Sequence, residues 1–238
     1  MKRMMRISWR AGVVLLSVIG PIRGAIGQEQ AKMKITNPGD NVLAGVYVGP
    51  YYATIDNTPN VPVICDDFYD ETYVGEAWTA NVTTVASGAP TWLSQKESLS
   101  QSQQSADYAE AAYLAEQLMN PATTCPSQAD CSGDIQFAIW NIFDPGPPLS
   151  LLSGNDLSNA QYWLTTAGTA YTDHQISPSL YSNVQVYSPV GGGPPQEFLM
   201  VQTPEPGLAS LLGVDLTTLV GVMFLIRRRT KKHTTDVA

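Results

Sequence analysis

An apolar run near the C-terminus constrains this 238-residue chain more than any other feature. The run covers residues 208–226, and 19 residues in a helix extend about 28 Å, close to the thickness of a hydrocarbon core. Asp215 near its middle opposes insertion by roughly 2.5–3.5 kcal/mol, whereas eleven Leu, Ile, Val and Phe residues favour it by about 0.3–0.6 kcal/mol each. The balance predicts a transmembrane helix. Five Lys and Arg residues follow at 227–232, so the body of the chain should lie outside the cytoplasm.

The N-terminus carries a second membrane-directed pattern. Four of the first ten residues are basic, a short apolar run follows at 11–19, and Ala25 and Gly27 supply small residues before a cleavage point. A run of this length is too short to span a bilayer. We therefore interpret residues 1–27 as a secretory signal peptide that is removed from the mature chain. The alternative is an uncleaved N-terminal anchor.

Short motifs flank the C-terminal run on both sides. A Pro-Glu-Pro tripeptide precedes it and three arginines follow it, at Pro204, Glu205, Pro206, Arg227, Arg228 and Arg229. Tripeptide, helix and basic tail together resemble the PEP-CTERM sorting signal of Gram-negative bacteria. The resemblance implies a sorting and anchor segment at 204–232, a cytoplasmic tail end at 233–238, and an exosortase as partner. It also implies export across the inner membrane and a final place at the cell surface or in an exopolysaccharide-rich biofilm matrix. The alternative is an ordinary single-span anchor.

Residues 28–203 are long enough for one domain with a real core. They hold three lysines and 18 acidic residues, a net charge of −15 that the two basic ends hide in the whole-chain value of −8. A domain with so few cations has no means of binding nucleic acid through its phosphates. The charge is suited to attracting amines or other cations, and it also serves solubility.

The residue patterns of this domain mix strands and helices. Three helices are predicted: one with an apolar stripe that ends before Pro121, one that begins after Ser132, and one capped by Asn155 and Asp156. The polar stretch 95–105 is predicted to be a loop. Strand-forming residues occupy 42–55, 61–65, 77–85, 183–187 and 196–202, the last two as a hairpin. This order predicts a single β-rich α+β domain with about three helices.

The chain contains three cysteines, an odd number for an exported protein. Cys125 and Cys131 are six positions apart and are predicted to form a disulfide that closes a short loop. Cys65 is then left without a disulfide partner. One explanation is that Cys65 is a small buried hydrophobic side chain, and the other is that it has a chemical role.

A helical motif suggests that role. Gln136, Ala138, Ile139 and Trp140 form the pattern Q-x-A-I-W, and an alanine-rich helix around Tyr108 precedes it. With Cys65 in an early strand, residues 61–143 resemble the thioester domains of bacterial surface adhesins. The resemblance implies that the Cys65 thiol and the Gln136 carboxamide form an internal thioester, which a surface amine or hydroxyl then opens to give a covalent bond. The alternative is a solvated glutamine and an inert cysteine.

The acidic residues after Cys65 raise the question of a Ca²⁺ site. Asp66, Asp67, Asp70 and Glu71 follow Cys65 and offer oxygens to Ca²⁺, but EF-hand spacing is absent and an acidic loop is the preferred interpretation. We predict no metal, no cofactor and no enzymatic turnover. The sequence thus predicts an exported surface or matrix protein that acts as a covalent adhesin. The alternative is a passive structural component associated with biofilm exopolysaccharide.

Overall fold

The computed structural model describes residues 29–120 and 128–202. The predicted signal peptide, the Pro-Glu-Pro motif, the apolar run 208–226 and the arginines after it lie outside the described residues. Within the two described ranges, no helix combines the length and apolar character needed to cross a membrane.

Six antiparallel strands close into a barrel. Around the barrel they follow the order β1, β4, β5, β8, β7, β6, while β2 and β3 form a separate two-stranded hairpin. The strands are β1 Glu29–Asn37, β2 Val42–Leu43, β3 Val46–Tyr47, β4 Tyr51–Ile55, β5 Thr58–Cys65, β6 Ala77–Thr84, β7 Val184–Pro189 and β8 Phe198–Val201. The predicted hairpin near the end of the domain is present as β7 and β8, which pair directly.

Strand β1 closes the barrel, and the sequence analysis did not predict it. Ala31, Met33 and Ile35 point inward and are buried, while Lys32 and Lys34 between them are exposed. This alternation is the pattern of a half-buried strand. Because β1 pairs with β4 on one side and β6 on the other, it joins the two edges of an otherwise open sheet.

The described residues contain six helices rather than about three, so the α+β class is confirmed and the helix number is corrected. They are α1 Trp92–Lys96, α2 Gln101–Met119, α3 Gln128–Phe143, α4 Pro147–Ser150, α5 Gly154–Thr172 and α6 Pro178–Asn183. The three long ones, α2, α3 and α5, correspond to the three predicted helices. The additional ones are single short turns whose few residues carry no readable periodicity.

Three predicted helix starts are wrong. Helix α3 begins at Gln128, so Ser132 lies within it rather than before it. The stretch 95–105 is not a loop, because Ser100 caps α2 and exchanges hydrogen bonds with Gln103 in a capping box. Its serines and glutamines face mainly solvent on the first turns of a helix that extends beyond its apolar stripe. Helix α5 takes Ser153 as its N-cap, so Asn155 and Asp156 lie in its first turn.

Helix α3 is the element that places the site. It packs between α2 and α5 and also contacts β5 of the barrel. Ile135 and Ile139 belong to the core shared with the other helices, whereas Phe137 and Trp140 belong to the core inside the barrel. A helix with apolar neighbours on all sides is an interior helix. The side chain of Gln136 is therefore enclosed rather than solvated, which corrects the alternative interpretation of this residue.

Candidate functional site

Cys65 is the last residue of β5 and lies opposite Phe198 of β8. Its side chain is 0% exposed, it is not in a disulfide, and its thiol donates a hydrogen bond to the Asp67 carbonyl at 3.0 Å. The thiol is thus held at the end of the barrel, facing the irregular segment that follows β5.

Gln136 reaches the same point from helix α3. Its side-chain amide nitrogen Nε2 donates to the Cys65 carbonyl at 2.5 Å, and its Oε1 accepts from the backbone N–H of Gly49 at 3.1 Å. The carboxamide is also 0% exposed. The fold therefore brings together the two residues that the sequence analysis paired, although 70 residues separate them along the chain.

Gly49 is a part of the site that the sequence analysis missed. A Cβ atom at this position would lie 2.7 Å from Gln136 Oε1, closer than such atoms approach each other. Only glycine lets the backbone come near enough for its N–H to bond the carboxamide oxygen. In the sequence, Gly49 followed by Pro50 looks like ordinary turn punctuation, so nothing there identified it.

The thiol is protonated in this environment. Burial first, and then the neighbouring carboxyl groups of Asp67 and Asp66, raise the pKa of Cys65 well above its usual range, while the Trp140 indole acts weakly in the opposite direction. A buried thiol of this kind is not a reactive surface nucleophile. Any chemistry at Cys65 must come from its fixed position beside the carboxamide rather than from easy ionisation.

The acidic segment after Cys65 is a loop, as the sequence suggests, but its first two acids are buried whereas Glu71 is exposed. Asp66 and Asp67 are 0% exposed, and Asp67 Oδ1 accepts from Lys96 Nζ at 3.3 Å and from the backbone N–H groups of Tyr69 and Asp70. Burial raises the pKa of Asp67 to about 7. No group of three His, Cys, Asp or Glu side chains within the described ranges is arranged to hold a metal ion.

A buried carboxyl network beside the site was also missed. Glu197 accepts hydrogen bonds from the Tyr108 hydroxyl, from Ser188 Oγ at 2.5 Å and from the Trp92 backbone N–H at 2.8 Å. It thereby ties α1 and α2 to strands β7 and β8. Glu197 directly precedes Phe198, the strand partner of Cys65, so this network supports the wall against which the thiol is held.

Of the two cysteines in the predicted Cys125–Cys131 disulfide, the structure describes Cys131. Cys131 lies in α3, is buried and takes part in a disulfide. Cys125 lies outside the described residues. The disulfide is therefore at the N-terminal part of the helix that carries Gln136.

Comparison with known proteins gives a distant structural similarity. No protein-family model matches the chain, and no curated protein matches it in sequence. A solved structure that it is similar to is the N-terminal thioester domain of fibronectin-binding protein SfbI from Streptococcus pyogenes. The two share 10% sequence identity with a TM-score of 0.43, over 74% of this chain and 94% of that one. The case for chemistry in this chain rests on the positions of its own residues.

Proposed function

We propose that this protein is a covalent adhesin whose Cys65 and Gln136 form an internal thioester. The observation that carries the proposal is the hydrogen bond from the Gln136 carboxamide to the backbone carbonyl of Cys65, a residue whose free thiol is also buried, with the carboxamide oxygen held by the Gly49 N–H.

The bond forms by exchange of an amide for a thioester. The Cys65 sulfur attacks the Gln136 side-chain carbonyl carbon, and a negative charge develops on Oε1, where the Gly49 N–H donates. The carbon–nitrogen bond then breaks, and the amide nitrogen takes the thiol proton and leaves as ammonia. Holding both groups in place supplies the proximity that this otherwise slow exchange requires.

In the attachment step a nucleophile of the partner replaces the Cys65 sulfur. An amine or hydroxyl of a partner attacks the same carbon, the carbon–sulfur bond breaks, and the proton of the nucleophile passes to the Cys65 sulfur. The partner is left joined to Gln136 through an amide or ester bond. Each attachment consumes one thioester and releases the Cys65 thiol. Each molecule reacts once, and the protein is an attachment device rather than an enzyme.

The proposed location follows from the two ends of the chain. Residues 1–27 direct export across the inner membrane, and 204–232 hold the protein to that membrane until an exosortase processes it. The acidic domain then stands at the surface of a Gram-negative cell or in its exopolysaccharide matrix, where it meets surface amines. The test is cell fractionation of the wild type against a chain in which Pro204, Glu205 and Pro206 are all alanine. Processing should fail only in the variant.

The central experiment is the intact mass of the purified protein. We expect a deficit of about 17 Da relative to the sequence with its disulfide, the mass of one ammonia. Methylamine should restore that mass to the Gln136 side chain and release one reactive thiol. Cys65→Ala is the control and should show neither change. No deficit, with a thiol that reacts only on denaturation, would favour the passive structural component with Cys65 as a core residue.

Gly49→Ala tests the placement of the carboxamide. The added Cβ would force Oε1 of Gln136 away from its N–H donor, and we expect thioester formation to slow by about 10²-fold, as when one oxyanion donor is lost. The matched control is Gly168→Ala, whose Cβ meets nothing closer than 3.9 Å. The measurement is the time course of the mass deficit after refolding. Equal rates in the two variants would contradict a role for Gly49.

A further inference from the structure

A cleft lined by aromatic side chains opens beside the Cys65–Gln136 pair. Its volume is about 530 Å³, within the range of small-ligand sites. Its aromatic lining consists of Tyr47, Tyr51, Phe68, Tyr73, Trp140 and Phe198. The proposed thioester chemistry assigns no role to this cleft.

Two residues that line the cleft, Trp140 and Phe198, are neighbours of the reactive pair. Trp140 lies one helical turn after Gln136, and Phe198 is the strand partner of Cys65. The Phe68 ring lies 5.5 Å from the Trp140 ring, between centroids. Both reactive side chains are 0% exposed, so a nucleophile entering from the cleft reaches them only when a ring moves.

Phe68 is the ring among these three that is not part of a helix or strand. It belongs to the irregular segment after β5 and is half-buried. Trp140 is held on α3, with its ring 5.0 Å from that of Phe137 in the barrel core. Swinging Phe68 outward would join the cleft to the pair without unpacking a helix.

The rim of the cleft has the composition of a binding surface. Tyr47, Tyr73 and Val74 are each more than half exposed, an unusual grouping of large apolar side chains. Asp70 and Glu71 line the same rim, and Glu71 Oε2 accepts from the Tyr73 hydroxyl at 2.5 Å. A ligand here meets ring faces and carboxylates together.

The ammonium group of Lys96, in the same chain, already lies beside a tyrosine ring and a carboxylate near the cleft. Lys96 Nζ lies 5.6 Å from the centre of the Tyr69 ring and 3.3 Å from Asp70 Oδ2. Tyrosine faces and carboxylates both attract ammonium groups. Glu71 and Tyr73 offer the same two kinds of group on the exposed rim.

We propose that this cleft is the docking site for a lysine-bearing, positively charged segment of a partner protein, whose lysine enters past Phe68. The proposal rests on the proposed thioester. The net charge of −15 over residues 28–203 favours such a partner. On reaction the lysine ammonium loses two protons, one to the Cys65 sulfur and one to solvent, while a carbon–nitrogen bond replaces the carbon–sulfur bond.

The test uses the full-length protein in detergent and three probes. The first two are synthetic peptides that each contain one reactive lysine, flanked by arginines in one and by glutamates in the other, with their termini blocked. The third is methylamine, which is small enough to need no docking. Intact mass follows adduct formation with time. We expect the arginine-flanked peptide to react about tenfold faster than the glutamate-flanked one.

Two variants at the rim and one control variant test whether the rim causes the difference between the two peptide rates. Glu71→Gln and Tyr73→Ser should each reduce the ratio of the two peptide rates about threefold and leave the methylamine rate unchanged. Glu29→Gln removes one exposed charge at the start of β1, away from the cleft lining, and should leave the ratio unchanged.

The outcomes separate the cleft from the chemistry. Peptides that react equally fast, or a ratio that the rim variants do not change while methylamine still reacts, would overturn the docking site alone. Faster ester formation with a neutral oligosaccharide than amide formation with the arginine-flanked peptide would overturn the lysine-bearing occupant. Failure of methylamine together with an absent ammonia deficit would overturn the thioester itself.

Discussion

If the proposed Cys65–Gln136 thioester is present, replacing Cys65 with alanine should lower the free energy of unfolding by about 4 kcal/mol, because it removes that covalent cross-link. A thioester between residues 65 and 136 closes a loop of about 72 residues, and in the chain-entropy model such a loop destabilises the unfolded state by that amount. For a domain of this size the midpoint of thermal unfolding should fall on the order of 10 °C. The measurement is thermal unfolding of the full-length protein, followed by tryptophan fluorescence.

Methylamine provides a control that leaves the sequence unchanged. It opens the cross-link in the wild type while every side chain except the modified Gln136 stays the same, so the treated wild type should unfold near the Cys65→Ala variant. The variant itself should not respond to methylamine. A wild type whose unfolding midpoint is the same before and after treatment would show that no cross-link was present, and the loss in Cys65→Ala would then reflect a lost core side chain.

The secondary structure was predictable where the chain carries a local period. The apolar stripes of α2, α3 and α5 have such a period, whereas β5, β6 and β7 are marked by runs of strand-forming residues, and the approximate positions of all six were predicted. The closure of the barrel was not, because it depends on β1 pairing with β4 and β6, which is a contact between distant segments. The alternation of Ala31, Met33 and Ile35 was readable, but nothing local indicated that this strand closes a barrel.

The site was predictable only as far as side chains reveal it. Cys65 and Gln136 were paired from a cysteine without a disulfide partner and a helical motif. The Gly49 N–H is a backbone group, and every residue except proline carries one, so its role leaves no trace in composition or spacing.

The acids near the site show the opposite failure. Asp66 and Asp67 look like a solvated cluster when read with their neighbours in sequence. Their burial is set by partners far along the chain: Glu197 beside Asp66, and Lys96 bonded to Asp67. The cluster of acids in the sequence therefore gave no sign that the tertiary structure encloses the first two of them.

The other large effect is expected at Glu197, whose replacement by alanine should destabilise the domain by about 3–5 kcal/mol. The change removes a 0% exposed carboxyl group that accepts from the Tyr108 and Ser188 hydroxyls and from the Trp92 N–H. Tyr108 keeps its contact with Thr91 Oγ1 and the Trp92 N–H keeps Ser188 Oγ, so the Ser188 hydroxyl loses most. Each buried donor without a partner costs about 1–3 kcal/mol. Urea unfolding of the full-length protein at pH 5 and pH 8 measures the loss.

Asp66→Asn is the matched control, because it keeps the approximate shape of a neighbouring buried carboxyl and removes its ability to ionise. Burial first, and then the charges of Glu197 and Asp67, raise the pKa of Asp66 well above its usual range. The stability that protonated Asp66 contributes is complete below the unfolded pKa of about 3.9 and is lost as pH rises towards the folded pKa. The wild type should therefore be less stable at pH 8 than at pH 5, and Asp66→Asn should fall less between them. Glu197→Ala should be less stable than the wild type at both pH values, because the donors that lose the Glu197 acceptor do not titrate between pH 5 and pH 8. A Glu197→Ala variant as stable as the wild type would show that the network does not hold the helices to the barrel.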